Sequence, residues 1–134
     1  MELVVYPIGV VRSCLMERSQ CPHQGNEGAP EAWIEVDPIY AEALDGLRPG
    51  VEIVILTWMH LADRSLLRVH PKGDRRNPMT GVFRTRSADR PNPIGLHRAT
   101  VMAVDPPTRL LVKPLEVVDK TPVVDIKCAL EEEN

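Results

Sequence analysis

Arg84, Arg86, Arg90 and Arg98 fall within fifteen residues of a single stretch, Gly81–Arg98, which reads G-V-F-R-T-R-S-A-D-R-P-N-P-I-G-L-H-R. Guanidinium groups are planar, permanently charged forks that match carboxylates and phosphates. Pro91 and Pro93 stand one residue apart in the middle of the stretch. Each proline fixes its own φ and pushes the preceding residue out of the helical region. Arg90-Pro91-Asn92-Pro93 is therefore a stiff, extended turn, and Gly95 releases it. Linkers gain from flexibility. A stiff turn carrying guanidiniums has instead the composition of a preorganised anion-binding surface.

The charge distribution points to the kind of anion. From Arg64 to Arg98, nine Lys/Arg stand against two acids, Asp74 and Asp89; the remainder carries seven Lys/Arg and seventeen acids. A formal net charge of −3 conceals this segregation. A polyanion meeting one basic face fits the pattern, and a solvated basic loop is the plainer alternative.

Other chemistry-bearing residues are weaker signals. Cys14, Cys21, His23 and Cys128 lack CxxC or HxxxH spacing, so they read as unrelated cysteines and no metal is expected. Ser13 and Ser87 have no nucleophile-elbow context. The histidines His23, His60, His70 and His97 are scattered. His60 closes an apolar run, where a sheet would open, and is either a core histidine or a ligand contact. Trp33 and Trp58 lie in apolar runs and are read as core, with base stacking as the alternative. Asp119-Lys120-Thr121-Pro122 has the composition of a turn.

The elements that would position these residues are mostly strands. Leu3–Arg12, Ala32–Val36, Val51–Leu61, Val82–Thr85, Leu96–Val104 and Thr108–Val118 are rich in β-branched and apolar residues. Val123–Leu130 is a strand or a helical turn. Asp37–Leu44 is the one convincing helix, with Asp37 as N-cap, Pro38 at the first position and Gly46 beyond the end. Ser13–Pro30 is a polar loop of functional length, Ala62–Thr80 a basic, proline-punctuated connection, and Glu131–Asn134 a solvated tail. Residues 1–134 form a single domain, an antiparallel barrel or sandwich. At 134 residues and 43% hydrophobic content the chain can fold around a core without disulfides or metal; at 4% aromatics that core is aliphatic. No strand–GxGxxG–helix unit is present, which argues against a Rossmann cofactor domain. The absence of a signal-peptide pattern, of a membrane-length apolar run and of a cysteine framework predicts a soluble, cytoplasmic protein.

Four stretches together resemble one family. They are P-I-G-V-V-R-S at Pro7–Ser13, C-P-H-Q at Cys21–Gln24, G-V-F-R-T-R-S-A-D-R-P-N-P-I-G-L at Gly81–Leu96 and D-K-T-P-V-V-D-I-K at Asp119–Lys127. The chain is similar over nearly its whole length to the TrmO (YaeB-like) family of S-adenosylmethionine-dependent tRNA methyltransferases. The resemblance implies a mainly β, single-domain antiparallel β-barrel with one short helix. It implies methylation of N6 of N6-threonylcarbamoyladenosine next to the anticodon of tRNA, by a homodimer with cofactor sites near the subunit interface. Matched by motif, the cofactor-binding residues are Pro22, His23, Gln24, His60, Leu61, Arg86, Asp119, Lys120, Thr121 and Pro122. Two features depart from the family pattern. Asp125-Ile126-Lys127 continues with Cys128 and Ala129 where the family often has Pro-Tyr, and the C-terminal extension of longer members is absent from this sequence.

The implied chemistry suits these residues. Arg86 and loop amides can hold the cofactor carboxylate, and apolar strand ends can sandwich the adenine. In-line methyl transfer chiefly requires alignment of donor and acceptor. The acceptor N6 is urea-like, which gives a general base a role; His60 and Asp125 are the candidates. Arg75, Arg76, Arg84, Arg90 and Arg98 would neutralise RNA phosphates or the threonyl carboxylate. Two other readings stay open: a non-catalytic barrel that binds S-adenosylmethionine or RNA, and a methyltransferase with a small-molecule acceptor.

Overall fold

The computed structural model describes residues 1–14 and 30–131. In chain order the strands are β1 (Gly9–Arg12), β2 (Ala32–Val36), β3 (Glu52–Trp58), β4 (Arg68–Val69), β5 (Thr80–Gly81), β6 (Ile94–Asp105), β7 (Arg109–Lys113) and β8 (Pro122–Cys128). Alternation builds the main sheet. In β2, Ala32, Ile34 and Val36 are buried while Trp33 and Glu35 are only partly so. Ile53, Ile55 and Thr57 of β3 are fully buried, as are Val101 of β6 and Leu110 and Val112 of β7. Residues two apart in a strand share a face, so these side chains converge on one aliphatic core, completed by Val11, Val123, Leu115 and Val117. No tryptophan belongs to it.

Six strands pair antiparallel in one sheet, in the order β1-β2-β7-β6-β3-β8. The order closes on itself: β8 pairs with β3 along most of its length and with β1 through Gly9↔Val123 and Val10↔Pro122. β4 and β5 form a separate two-stranded ribbon. Register shifts interrupt the sheet between Leu56 and Thr57 and between Val101 and Ala103.

Strand direction decides where the loops go. Because neighbours run antiparallel, the C-terminal ends of β1, β3 and β7 lie at the same end of the sheet as the N-terminal ends of β2, β6 and β8. The connections 13–31, 59–93 and 114–121 therefore all emerge at that end. The opposite end holds residues 37–51, the turn 106–108, the N-terminal end of β1 and the C-terminal end of β8.

Several expected boundaries are corrected. The first strand starts at Gly9 rather than Leu3. Leu3, Val4, Val5 and Tyr6 are exposed, and pairing begins where Ile8 donates to Val123. The expected helix is a 3-10 helix, Pro38–Leu44, kinked at Tyr40. Asp37 caps it by accepting from the Ile39 amide at 3.1 Å, and Gly46 follows at φ +93, a left-handed value that glycine adopts without steric cost. The strand expected at Val82–Thr85 is a 3-10 turn, Val82–Arg84. Its β propensity is overridden because the Val82 carbonyl accepts from the Thr85 amide, from Thr85 Oγ1 and from the Arg90 guanidinium. The strand expected over Thr108–Val118 ends at Lys113, ahead of Pro114, which has no ladder donor. Val123–Leu130 resolves as a strand, β8.

Candidate functional site

The loop-bearing end of the sheet collects most of the residues singled out by sequence. His60 and Leu61 sit just past β3, in a turn closed by the Ala62 amide on the Met59 carbonyl at 2.9 Å. Arg86 lies in the 59–93 connection and Asp119–Pro122 in the last one. Pro22, His23 and Gln24 lie outside the described residues, within the connection whose feet, Cys14 and Pro30, are at this same end.

The Asp119–Pro122 loop is tied down at four points, two of them to Val11 of β1 and one to Ser13 just beyond it. Asp119 Oδ1 accepts from the Ser13 amide at 3.0 Å. The Lys120 amide donates to Val11 at 2.8 Å, and the Val11 amide donates to Thr121 at 2.9 Å. Thr121 Oγ1, fully buried, donates to the Val118 carbonyl at 2.7 Å. Lys120 adopts φ +70, a left-handed value uncommon for a non-glycine residue. The ties hold it there and send its side chain into solvent. The carboxylate of Asp119 is thereby fixed beside the chain segment that leads towards Pro22–Gln24.

The RPNP turn is equally fixed. Arg64 Nε donates to the Pro91 carbonyl at 2.7 Å, and its Nη2 donates to Asn92 Oδ1 at 3.3 Å. The same guanidinium stacks over Trp58, 5.0 Å from the ring centroid. The Asp63 amide donates to Asp89 at 2.8 Å. Trp58 is therefore not a core residue, and neither is Trp33: each lies on the outer face of the sheet, the second under Arg109 at 4.2 Å. Cation–π contact accounts for both.

Of the basic residues expected to meet a polyanion, Arg75, Arg84 and Arg86 are exposed and make no hydrogen bond or ion pair among the described residues. Arg76 chelates Asp74 at 2.8 Å and holds that carboxyl below its ordinary range. Such a surface pair is screened by solvent and adds little to stability. Arg90 and Arg98 differ from Arg75, Arg84 and Arg86 in having partners within the fold. Arg90 donates to the Val82 and Thr85 carbonyls, and its Nε is buried. Arg98 pairs with Glu52 at 2.8 Å and donates to the Leu130 carbonyl. Both are occupied within the fold.

The two base candidates also separate. His60 is exposed, so it is not the core histidine. Asp125 pairs with Leu56 across β8 and β3, and directly opposed residues share a face. Leu56 lies between the inward-facing Ile55 and Thr57, so Asp125 points outward. There it meets Lys127 at 3.2 Å and accepts from the Ile126 amide.

The histidine inside is His97, which the sequence reading left without a role. Its Nε2 lies 2.8 Å from Thr57 Oγ1, and that hydroxyl reaches Met59 Sδ at 3.3 Å. Gly95 completes the cluster: a Cβ there would collide with Thr57 Oγ1 and with His97 Nε2 at 2.6 Å, and would crowd Met59 Sδ at 3.1 Å. One signal was available, since His97 shares strand parity with the buried Ala99 and Val101.

Burial pushes the His97 pKa down from 6.5 to about 4. The fold thus favours the neutral ring. Its contribution is complete above pH 6.5 and is lost as pH falls towards 4. Between pH 7 and pH 5 the unfolding free energy is expected to drop by about 2 kcal/mol through this group. Urea titrations at both pH values measure the drop, and His97→Leu should remove that share of it.

Comparison with known proteins places this arrangement. The tRNA-methyltransferase O N-terminal domain profile, TrmO_N, matches residues 10–132. A Methanothermobacter thermautotrophicus protein named "Probable S-adenosyl-L-methionine-binding protein" is 43% identical over 127 residues, covering 95% of this chain and 90% of its own. An Archaeoglobus fulgidus S-adenosyl-L-methionine-binding protein is 38% identical over 125 residues, covering 93% and 88%. The crystal structure of TrmO from Pseudomonas aeruginosa superposes with a TM-score of 0.77 at 32% identity, over 97% of this chain and 57% of that one. This chain thus spans just over half the length of that solved structure. With a match running from β1 through the end of β8, the chain belongs to the TrmO N-terminal domain family.

Proposed function

We propose that the chain is an S-adenosylmethionine-dependent methyltransferase that modifies N6 of N6-threonylcarbamoyladenosine next to the anticodon of tRNA. The observation that carries this reading is the meeting of three connections at one end of the sheet. The connections that carry His60, Leu61, Arg86 and Asp119–Pro122, and the feet of the segment containing Pro22–Gln24, all leave the sheet at that end. The donor set fits the cofactor: Arg86 is an unengaged cation for a carboxylate, and Leu61 is an exposed apolar side chain for a ring face. Asp119 and the loop carbonyls supply negative and dipolar groups for a sulfonium. When bound, the cofactor supplies an electrophilic methyl group. The protein's part is to hold the acceptor nitrogen in line and exclude water. His60, exposed just past β3, is our candidate for the group that takes the N6 proton.

The assay is methyl transfer to threonylcarbamoylated tRNA, read by mass spectrometry of the digested nucleosides. Failure of the purified protein to bind S-adenosylmethionine by calorimetry sinks the reading. Binding without transfer to tRNA moves it to a non-catalytic barrel or to another acceptor. The same reading includes a cytoplasmic homodimer with the cofactor site near the interface. It is supported by an outward apolar strip at the loop end, where Trp58 opposes Ile94 and Leu56 opposes Leu96. Ile94 and Leu96 are 48% and 49% exposed. Sedimentation velocity tests the assembly.

Arg75 is a phosphate contact in this reading. Arg75→Ala should reduce the salt slope of tRNA binding by roughly 1, with affinity falling uniformly across tRNA sequences. An unchanged slope removes Arg75 from the interface.

A further inference from the structure

The chain contains one phenylalanine, and it is not in the core. Phe83 is 85% exposed, more than any other described large apolar side chain except Met1. A lone exposed apolar residue needs no explanation, but this one is held out by its setting. Val82, its neighbour, is 2% exposed and anchors the turn from below. The Val82 amide donates to the Leu67 carbonyl at 3.0 Å, tying the turn to the β4–β5 ribbon. The Val82 carbonyl accepts from the Thr85 amide, Thr85 Oγ1 and Arg90. At three residues per turn in a 3-10 helix, an inward Val82 leaves Phe83 and Arg84 facing out. Arg84 and Arg86, on either side of Thr85, are both exposed and unengaged among the described residues.

We infer that Phe83 is a stacking platform for an unpaired nucleobase of single-stranded RNA, with Arg84 beside it to receive the flanking phosphate. The inference rests on reading the chain as a tRNA-binding protein, and it adds a residue that no motif assigns. The chemistry favours RNA over an apolar protein surface. Desolvating two unpaired guanidiniums against an apolar partner is costly, whereas a nucleic acid supplies a π-face and phosphates together. A clamped turn also loses little conformational entropy when a base lands on it.

The test uses a fluorescently labelled anticodon stem-loop RNA, with anisotropy titrations at several salt concentrations. Phe83→Ala should weaken binding roughly tenfold or more. It should leave the slope of affinity against salt unchanged, because stacking releases no counterions. Phe83→Trp should restore most of the affinity, and Arg84→Ala should weaken binding while flattening the slope. S-adenosylmethionine affinity by calorimetry should be the same in all of these proteins. Equal RNA affinity for wild type and Phe83→Ala overturns the proposal while leaving the tRNA reading intact. A wild-type protein that binds no RNA overturns both. A smaller sedimenting mass for Phe83→Ala, or loss of S-adenosylmethionine binding, overturns it in favour of a subunit contact or a cofactor role.

Discussion

Arg86→Ala should lower S-adenosylmethionine affinity by roughly 10- to 150-fold, the equivalent of losing one charge-assisted hydrogen bond of about 1.5–3 kcal/mol. RNA affinity should fall less. The side chain is exposed and free of partners among the described residues, so the fold does not depend on it, and the melting temperature should not move. Its backbone, by contrast, is fixed on both sides. The Thr85 amide and hydroxyl bond to Val82, and the Ser87 amide donates to Thr85 Oγ1 at 3.2 Å. The Asp89 amide then donates to Ser87 Oγ, also at 3.2 Å. A fixed root with a free guanidinium is the arrangement expected of a carboxylate receptor. Arg86→Lys keeps the charge but loses the fork, so its affinity should lie between wild type and alanine. Calorimetry and anisotropy on the same preparations rank the two ligands. If RNA affinity falls more than cofactor affinity, Arg86 belongs to the RNA surface.

Local chemistry was legible in the sequence to the extent that it depended on neighbours along the chain. Ala32–Val36 has the same bounds as a strand in sequence and structure, because alternation alone specifies it. Asp37 is the N-cap that its type and position predict. That the connections carrying His60, Leu61, Arg86 and Asp119–Pro122 leave the sheet at one end was not legible in this way. Motif resemblance grouped them; the register of six antiparallel strands explains why they share an end. Register depends on pairings between residues far apart in sequence, such as Val123 with Gly9, and no local pattern encodes it. The arginines show the same limit. Arg84, Arg90 and Arg98 carried one expectation, yet Arg90 and Arg98 meet carbonyls and a carboxylate supplied by other parts of the fold, while Arg84 does not. Propensity misassigned Val82–Thr85 because it took no account of Arg90.

Arg90 therefore carries the second large effect, and it is one of stability rather than of direct ligand contact. Arg90→Ala removes two charge-assisted hydrogen bonds, to the Val82 and Thr85 carbonyls, from a partly buried position. The Val82 carbonyl keeps its two bonds from Thr85; the Thr85 carbonyl has no other described partner. A loss of about 2–4 kcal/mol is expected, concentrated in the 82–92 segment because the strand core makes no use of the Arg90 guanidinium. Amide hydrogen exchange resolves the location: protection should fall at Thr85 and Val82 while that of Ile55 and Val101 persists. Arg90→Lys should recover only part, since an ammonium lacks the planar fork that reaches two carbonyls at once. RNA affinity should fall with the same ranking through loss of the turn's geometry, because Phe83 and Arg84 stand on the turn that Arg90 closes. If exchange at Thr85 stays slow in Arg90→Ala while RNA binding is lost, Arg90 contacts the RNA directly and its assignment as the clamp is wrong.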